Sequence, residues 1–149
     1  MATFSKDIIR VKLTQTNRND CAITSLSVFE DMSYNNAFEI FKSGYKRSRG
    51  TQNFKIYDYM CPKYDCLVFH KNSHFWLNTR YNKLVNDNAS KFRLTKFDKG
   101  ITLKSFCKKY NVGKYYVIVR GHALVIDNGV VIDTSLTPDA TRVRVAWKL

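Results

Sequence analysis

The sequence predicts an α+β fold, with N-terminal helices packed on a C-terminal antiparallel β-sheet. Apolar residues in the first part of the chain recur at intervals of three and four, which is typical of amphipathic helices. The C-terminal third instead holds runs of β-branched and aromatic residues around an Asn-Gly pair, the strongest short signal for a β-hairpin. Helices first and strands afterwards are typical of the α+β class.

Length and composition indicate one folded domain in a reducing compartment. The 149 residues suit a single domain spanning 1–149, and a hydrophobic content of 44% is sufficient for a packed core. No apolar run of about 18 residues occurs, and the N-terminus lacks the apolar stretch of a secretory signal. We therefore expect a cytoplasmic protein without membrane contact, whose four cysteines are thiols rather than a disulfide framework.

The N-terminal part is predicted to hold a short strand or extended lead-in, followed by three helices. Residues 4–13 alternate weakly, and the polar residues 16–20 have the chemistry of a turn. The first helix begins at Cys21 and ends near Met32, with Asn19 or Asp20 as its N-cap. A second helix is predicted over 33–42 and a third over 54–60, before a proline.

The rest of the chain is predicted to be mainly strands. Short strands are expected at 66–69, 75–78 and 92–97, and an amphipathic helix at 102–110. The final strands are expected at 114–120, 122–126, 130–134 and 142–147. Because Asn128-Gly129 suits a two-residue turn, Asp127 should pair with Val130, and the second and third of these strands form a hairpin.

Two residues of this arrangement are candidates for nucleophilic catalysis. Cys21 lies in the first turn of a helix, where the positive end of the helix dipole favours a thiolate. His122 follows Gly121, whose small size is expected to allow close approach to the strand, and its imidazole can take the thiol proton. Each residue alone is also compatible with a purely structural role, a buried thiol or a sheet histidine.

The hairpin register adds a carboxylate to this pair, and the segment before the helix adds an amide. With a two-residue turn, His122, Asp133 and Ser135 share one face of the sheet, so Asp133 can accept the imidazole N–H. A three-residue turn would instead turn Thr134 toward His122. Gln15 precedes Cys21 by six residues, and its side chain can donate to an oxyanion together with the Cys21 backbone N–H.

These four residues, in this order, resemble the papain-like cysteine peptidases. The compact form is similar to bacteriocin-processing peptidases, and the segment GKYYVIVRGHALVIDNGVVIDT is most similar to small papain-like proteins encoded by bacteriophages. The resemblance covers residues 13–43 and 102–135. It implies a papain-like fold with Cys21 as nucleophile, His122 as base and then acid, Asp133 as orienting group and Gln15 as oxyanion donor.

The sequence departs from the family pattern in two respects. Ala22 follows Cys21, where many members have glycine or another small residue followed by an aromatic. The chain is also shorter than papain itself, so the substrate cleft must be simpler. A phage origin, which the resemblance suggests, would place the protein in the cytoplasm of the host cell.

Two other sets of residues are candidates for binding. Cys61, Cys66, His70 and His74 contain the residue types of a tetrahedral zinc site, although their spacing fits no common zinc finger. The charge of +13 is concentrated in residues 42–110, with 16 basic and 4 acidic side chains. Basic residues interleaved with aromatic ones can bind nucleic acid or an acidic protein. The densest basic patch consists of Lys42, Lys46, Arg47 and Arg49.

The leading hypothesis is a cysteine hydrolase that acts on a protein or peptide, with no cofactor. An acidic substrate would suit the basic surface. The alternative from another class is a catalytically inactive papain-like protein that binds nucleic acid or an acidic protein through that surface. A third reading keeps the thiol chemistry and changes the reaction, because amidases and transglutaminases form the same acyl-enzyme.

Overall fold

The computed structural model describes residues 4, 8–14, 20–41, 53–70, 92–94 and 100–149, with only the backbone at 53, 54 and 92–94. In chain order the elements are β1 (Arg10–Lys12), α1 (Cys21–Phe29), α2 (Tyr34–Phe41), α3 (Asn53–Met60), β2 (Asp65–Val68), β3 (Phe92–Leu94), β4 (Ile101–Thr102), α4 (Leu103–Lys109), β5 (Lys114–Val119), β6 (His122–Asp127), β7 (Val130–Asp133) and β8 (Arg142–Lys148). None of the helices in these ranges has the length and apolar character that crossing a membrane requires.

The described strands form one sheet, in which most neighbours are antiparallel. The strand order is β1-β7-β6-β5-β8-β2-β3, and β4 pairs with β8 beside this path. The pairs β1/β7 and β2/β3 are parallel, whereas the remaining pairs are antiparallel. The structure therefore confirms the α+β class with a mainly antiparallel sheet, although β1 precedes the helices and α4 lies between β4 and β5.

Helices cover both faces of this sheet. Tyr116 and Ile118 of β5 pack in one core with α1, α2 and α3, whereas Tyr115 and Val117 pack in a second core with α4. Successive side chains of a strand point to opposite faces, so each inner strand contributes to both cores. This explains why β5 is an almost continuous apolar run rather than an alternating one.

The hairpin of β6 and β7 has the predicted two-residue turn. Asn128 and Gly129 have φ angles of 48° and 80°, as a type I′ turn requires. Asp127 pairs with Val130, and Val125 pairs with Ile132. The two-residue register is thus confirmed over the three-residue alternative, and it carries Asp133 toward the start of β6.

Gly121 lies in the turn between β5 and β6, where its backbone conformation matters rather than the predicted close approach. Val119 pairs with His122, which leaves Arg120 and Gly121 as the turn. A Cβ atom added to Gly121 would meet no heavy atom of the described residues within 4 Å, so the expectation of a close approach is wrong for this part of the chain. The residue has a φ of 68°, a backbone conformation that glycine adopts without steric cost.

The helix boundaries differ from the predicted ones by a few residues. Helix α1 ends at Phe29 rather than Met32, because Asp31 has a φ of 53° and the left-handed conformation ends a helix. Asp20 occupies the N-cap position, yet its side chain makes no capping hydrogen bond. Thr102 caps α4, since its Oγ1 accepts the Ser105 N–H at 3.1 Å. The strand predicted at 75–78 lies outside the described residues.

Candidate active site

Cys21 is the first residue of α1 and is partly exposed. The other three cysteines, Cys61, Cys66 and Cys107, are buried in the two cores. Burial raises the pKa of the Cys107 thiol to about 11, and the nearby Arg10 only partly offsets this. Burial also raises the pKa of Cys66 well above its ordinary value, as does a hydrogen bond with Cys61. Cys21 is therefore the thiol that solutes can reach most easily.

Two buried side-chain hydrogen bonds hold the start of α1 against the sheet. The Ser25 hydroxyl donates to the Ala123 carbonyl at 3.1 Å, and the Tyr116 hydroxyl donates to the Ala22 carbonyl at 3.0 Å. Ala22 and Ala123 directly follow Cys21 and His122 in the chain, so these bonds fix Cys21 and His122 relative to each other. A buried donor or acceptor left without a partner costs free energy, so these two bonds oppose movement of α1 relative to the sheet.

His122 contacts both Asp133 and Cys21. Its Nε2–H donates to Asp133 Oδ1 at 2.5 Å, and the Cys21 thiol lies close enough to the ring to help raise the pKa of the imidazole. Because Nε2 is engaged by the carboxylate, Nδ1 is the ring nitrogen left for the thiol. The imidazole thus bridges a thiol on a helix and a carboxylate on a neighbouring strand.

The surroundings of His122 favour its protonated form. Burial lowers the pKa of the ring, but the hydrogen bonds to Asp133 and Cys21, with the attraction of their negative charges, outweigh burial. Together they raise the pKa from 6.5 to about 10. At neutral pH the ring is therefore an imidazolium, which can donate a hydrogen bond from each nitrogen.

Asp133 is buried and accepts hydrogen bonds at both carboxylate oxygens. Oδ1 accepts from His122 and from the Ser135 backbone N–H at 3.2 Å, and Oδ2 accepts from the Thr137 hydroxyl at 2.5 Å. Burial raises the pKa of this carboxyl group, but the bonds from His122 and Thr137 outweigh it. The net result is a pKa below the ordinary value of 3.8. Asp133 is therefore a carboxylate at neutral pH.

The charged pair predicts a specific pH dependence of stability. Because folding raises the pKa of His122 from 6.5 to about 10, its stabilising contribution is complete below pH 6.5 and declines as the pH rises toward 10. We expect the free energy of unfolding, measured by denaturant titration, to fall more steeply over this range in the native protein than in Asp133→Asn. Parallel pH curves for the two proteins would contradict the charged pair.

Gln15, the predicted oxyanion donor, lies outside the described residues. The chain just before Gln15 passes close to Asp133, because the Leu13 N–H donates to the Asp133 carbonyl at 2.6 Å. Lys12, Leu13, Thr14 and Thr134 line a groove of about 440 Å³. This groove lies near the end of β7, and Lys12 gives it a positive charge.

The zinc and basic-patch candidates gain no support from the described residues. Cys61, Cys66 and His70 do not form a metal-binding group, and nowhere in the described ranges do three such ligands converge. His74 lies outside those ranges, as does the whole basic patch of Lys42, Lys46, Arg47 and Arg49. Binding of nucleic acid or of an acidic protein by this patch stays a prediction.

The structure also brings Thr137, Arg10 and Asp139 to this site, which the sequence pattern does not predict. Thr137 binds Asp133, and Arg10 binds the Thr137 carbonyl and the Asp139 carboxylate. Ser135 was expected on the same face as His122, and its hydroxyl oxygen lies 3.3 Å from Nε2. No strand alternation predicts the position of Thr137, because it lies in the loop after β7.

Comparison of the chain with protein-family models, with curated proteins and with solved structures gives no match.

Proposed function

We propose that this protein is a cysteine hydrolase with a papain-like arrangement, most simply a peptidase. One observation carries the proposal: a partly exposed thiol at the start of a helix lies beside a histidine and helps raise its pKa, and a buried carboxylate holds the same ring by a hydrogen bond to Nε2. Nucleophile, base and orienting group in mutual contact are the parts that acyl transfer needs. Cys21, His122 and Asp133 take these roles.

The first half of the proposed reaction forms an acyl-enzyme. The imidazolium of His122 stabilises a thiolate at Cys21, whose sulfur attacks the carbonyl carbon of an amide. The negative charge moves to the carbonyl oxygen, near the Cys21 backbone N–H, because the first N–H groups of a helix have no intrahelical acceptor. Gln15 is the proposed second donor. His122 then protonates the leaving amine, and the C–N bond breaks.

The second half releases the product. His122, now neutral, takes a proton from water, and the hydroxide adds to the thioester carbon. Collapse of the second tetrahedral intermediate breaks the C–S bond, which gives the carboxylic acid and returns the thiolate–imidazolium pair. Asp133 keeps the ring in one orientation throughout and stabilises its positive charge.

The site favours catalysis over the alternative of an inactive binding protein. A binding protein has no need of a thiol, an imidazole and a buried carboxylate in contact, because burying charged groups costs free energy. Amidase and transglutaminase reactions pass through the same acyl-enzyme and differ in the substrate or the acceptor. Peptide hydrolysis is proposed as the simplest of these reactions, and the positive charge of Lys12 in the groove near the end of β7 would suit peptides with acidic side chains.

Selective alkylation tests the nucleophile without knowledge of the substrate. We expect iodoacetamide at pH 7 to modify Cys21 first, because it is partly exposed and paired with an imidazolium, whereas the other thiols are buried. Mass spectrometry of peptides maps the modified site. His122→Ala should slow the modification of Cys21 at least about tenfold, because the thiolate loses its counterion.

Cys107→Ala is the matched control for this experiment. It removes a buried thiol that packs in the other core, so labelling of Cys21 should stay at the native rate. Equal labelling of all four cysteines in the folded native protein, or an unchanged rate in His122→Ala, would contradict an activated nucleophile.

A further inference from the structure

The carboxylate of Asp133 is bound on its second oxygen by Thr137. The Thr137 hydroxyl donates to Oδ2 at 2.5 Å, whereas His122 and the Ser135 N–H bind Oδ1. Thr137 is 6% exposed, so water does not replace its hydroxyl without a rearrangement of the loop. A carboxylate rotates about its last bond with little intrinsic preference, and a donor on one oxygen fixes where the other oxygen points.

Thr137 lies in the loop between β7 and β8, and Arg10 of β1 holds that loop. One guanidinium nitrogen, Nη1, donates to the Thr137 carbonyl at 2.5 Å, and Nη2 donates to Asp139 Oδ1 at 2.6 Å. The side chains of Arg10 and Asp139 are only 14% and 5% exposed. A guanidinium with two donors in a fixed fork spans both acceptors, which a single lysine ammonium does not do.

The same loop is attached to β1 and to α4 through backbone bonds. The Leu13 N–H donates to the Asp133 carbonyl at 2.6 Å, and the Lys104 N–H donates to the Asp139 carbonyl at 3.2 Å. Both ends of the segment from Asp133 to Asp139 are therefore anchored. Thr137 lies between these anchors, where its backbone is bound to Arg10 and its hydroxyl to Asp133.

We propose that Thr137 is a positioning residue that aims the Asp133 carboxylate at His122, and that Arg10 holds Thr137 in place for this purpose. The inference rests on the proposed function for its catalytic meaning. The structural part of the proposal does not depend on that function: the orientation of the Asp133 carboxylate on β7 depends on Arg10 on β1. Without the hydroxyl, Oδ2 is buried and unpaired, and the carboxylate turns away from the ring to find another donor.

The test is the pKa of His122 in Thr137→Val, measured by NMR from the ring C–H shifts. Among the residues that the structure describes, the charged and titratable groups that face this ring are Asp133 from β7 and Cys21 from α1. Valine replaces the hydroxyl by a methyl group of similar size. If Thr137 aims the carboxylate, the pKa of His122 falls by about one unit or more, because the ring loses its aligned partner.

Thr137→Ser is the matched control, because it keeps the hydroxyl, and we expect His122 to titrate as in the native protein. A purely structural contact would leave the pKa unchanged in Thr137→Val. If the carboxylate does not rotate, the lost hydrogen bond at Oδ2 would instead raise the pKa of His122, because Oδ1 becomes a stronger acceptor. Either of these results, in a variant that remains folded by circular dichroism, overturns the proposal.

Arg10→Lys gives a second test, which leaves Thr137 intact and also serves if the valine variant does not fold. It keeps the positive charge near Asp139 but replaces the planar fork of two nitrogens by a single nitrogen on a flexible chain, which holds the two acceptors less well, so the pKa of His122 should fall in the same direction as in Thr137→Val. A native pKa in Arg10→Lys would refute the part of the proposal that concerns Arg10. The alkylation rate of Cys21 is recorded in parallel and should fall with the pKa.

These readouts distinguish the inference from the proposed function. The NMR titration reports on the contact between His122 and Asp133 and needs no reaction at Cys21. If native Cys21 reacts no faster than a free thiol while Thr137→Val still lowers the pKa of His122, the hydrolase proposal fails and the positioning role stands. If native Cys21 is reactive and His122 titrates in Thr137→Val as it does in the native protein, the hydrolase proposal stands and the positioning role fails.

Discussion

Replacement of Cys21 by alanine is expected to lower peptide hydrolysis by on the order of 10⁶-fold. The sulfur is the atom that forms the acyl-enzyme, and no other described side chain in contact with His122 can take its place. Asp133 points to the far nitrogen of the ring, and Ser135 lies on that same side. The measurement is the release of fluorescence from dye-labelled casein, followed over the pH range from 5 to 9.

The design of this experiment separates loss of chemistry from loss of fold. Cys21 is partly exposed, so its replacement by alanine removes little buried surface, and the midpoint of thermal unfolding should change by no more than a few degrees. Cys107→Ala serves as the control with a native thiol at position 21. Native hydrolysis by Cys21→Ala would rule out the proposed nucleophile, and inactivity of the native protein on every tested peptide would favour the binding alternative.

Replacement of Asp133 by alanine has the second largest expected effect, a loss of hydrolysis on the order of 10⁴-fold. Two effects of Asp133→Ala on His122 combine to lower the rate. The imidazole loses the partner that fixes its orientation, and it loses the negative charge that keeps its pKa near 10. The nucleophilic thiolate therefore loses its counterion around neutral pH, and Cys21 alkylation by iodoacetamide should slow together with hydrolysis.

Asp133→Asn distinguishes orientation from charge. An asparagine oxygen can still accept the Nε2–H, and its amide can still meet the Thr137 hydroxyl, but the negative charge is gone. We expect Asp133→Asn to retain more activity than Asp133→Ala, with a lower pKa of His122 by NMR. Equal hydrolysis by Asp133→Ala and the native protein, with both folded, would remove Asp133 from the catalytic machinery.

Much of the site could be predicted because its parts depend on short-range rules. The Asn128-Gly129 pair demands a two-residue turn, since both residues need positive φ angles, and that turn determines the register of β6 and β7. The register in turn brings Asp133 to His122. The start of α1 at Cys21 was predicted from the polar residues before it and the apolar periodicity after it.

Other parts of the arrangement could not be predicted from local patterns. Arg10 and Thr137 are separated by 127 positions in the sequence, and they meet because β1 pairs in parallel with β7 at one side of the sheet. No residue pattern near Arg10 indicates a parallel partner so distant in the chain. The role expected for Gly121 was also wrong, because open space around a glycine is visible only when the surrounding atoms have been placed.

Neighbouring residues along the chain thus sufficed for the α+β class, the helix start at Cys21 and the hairpin that presents His122 and Asp133. Contact between the thiol and the imidazole is different, because it depends on how α1 lies on β6, through buried bonds such as that from Ser25 to the Ala123 carbonyl. Such bonds join segments distant in sequence, and they form only when both faces of the sheet are covered and water is excluded.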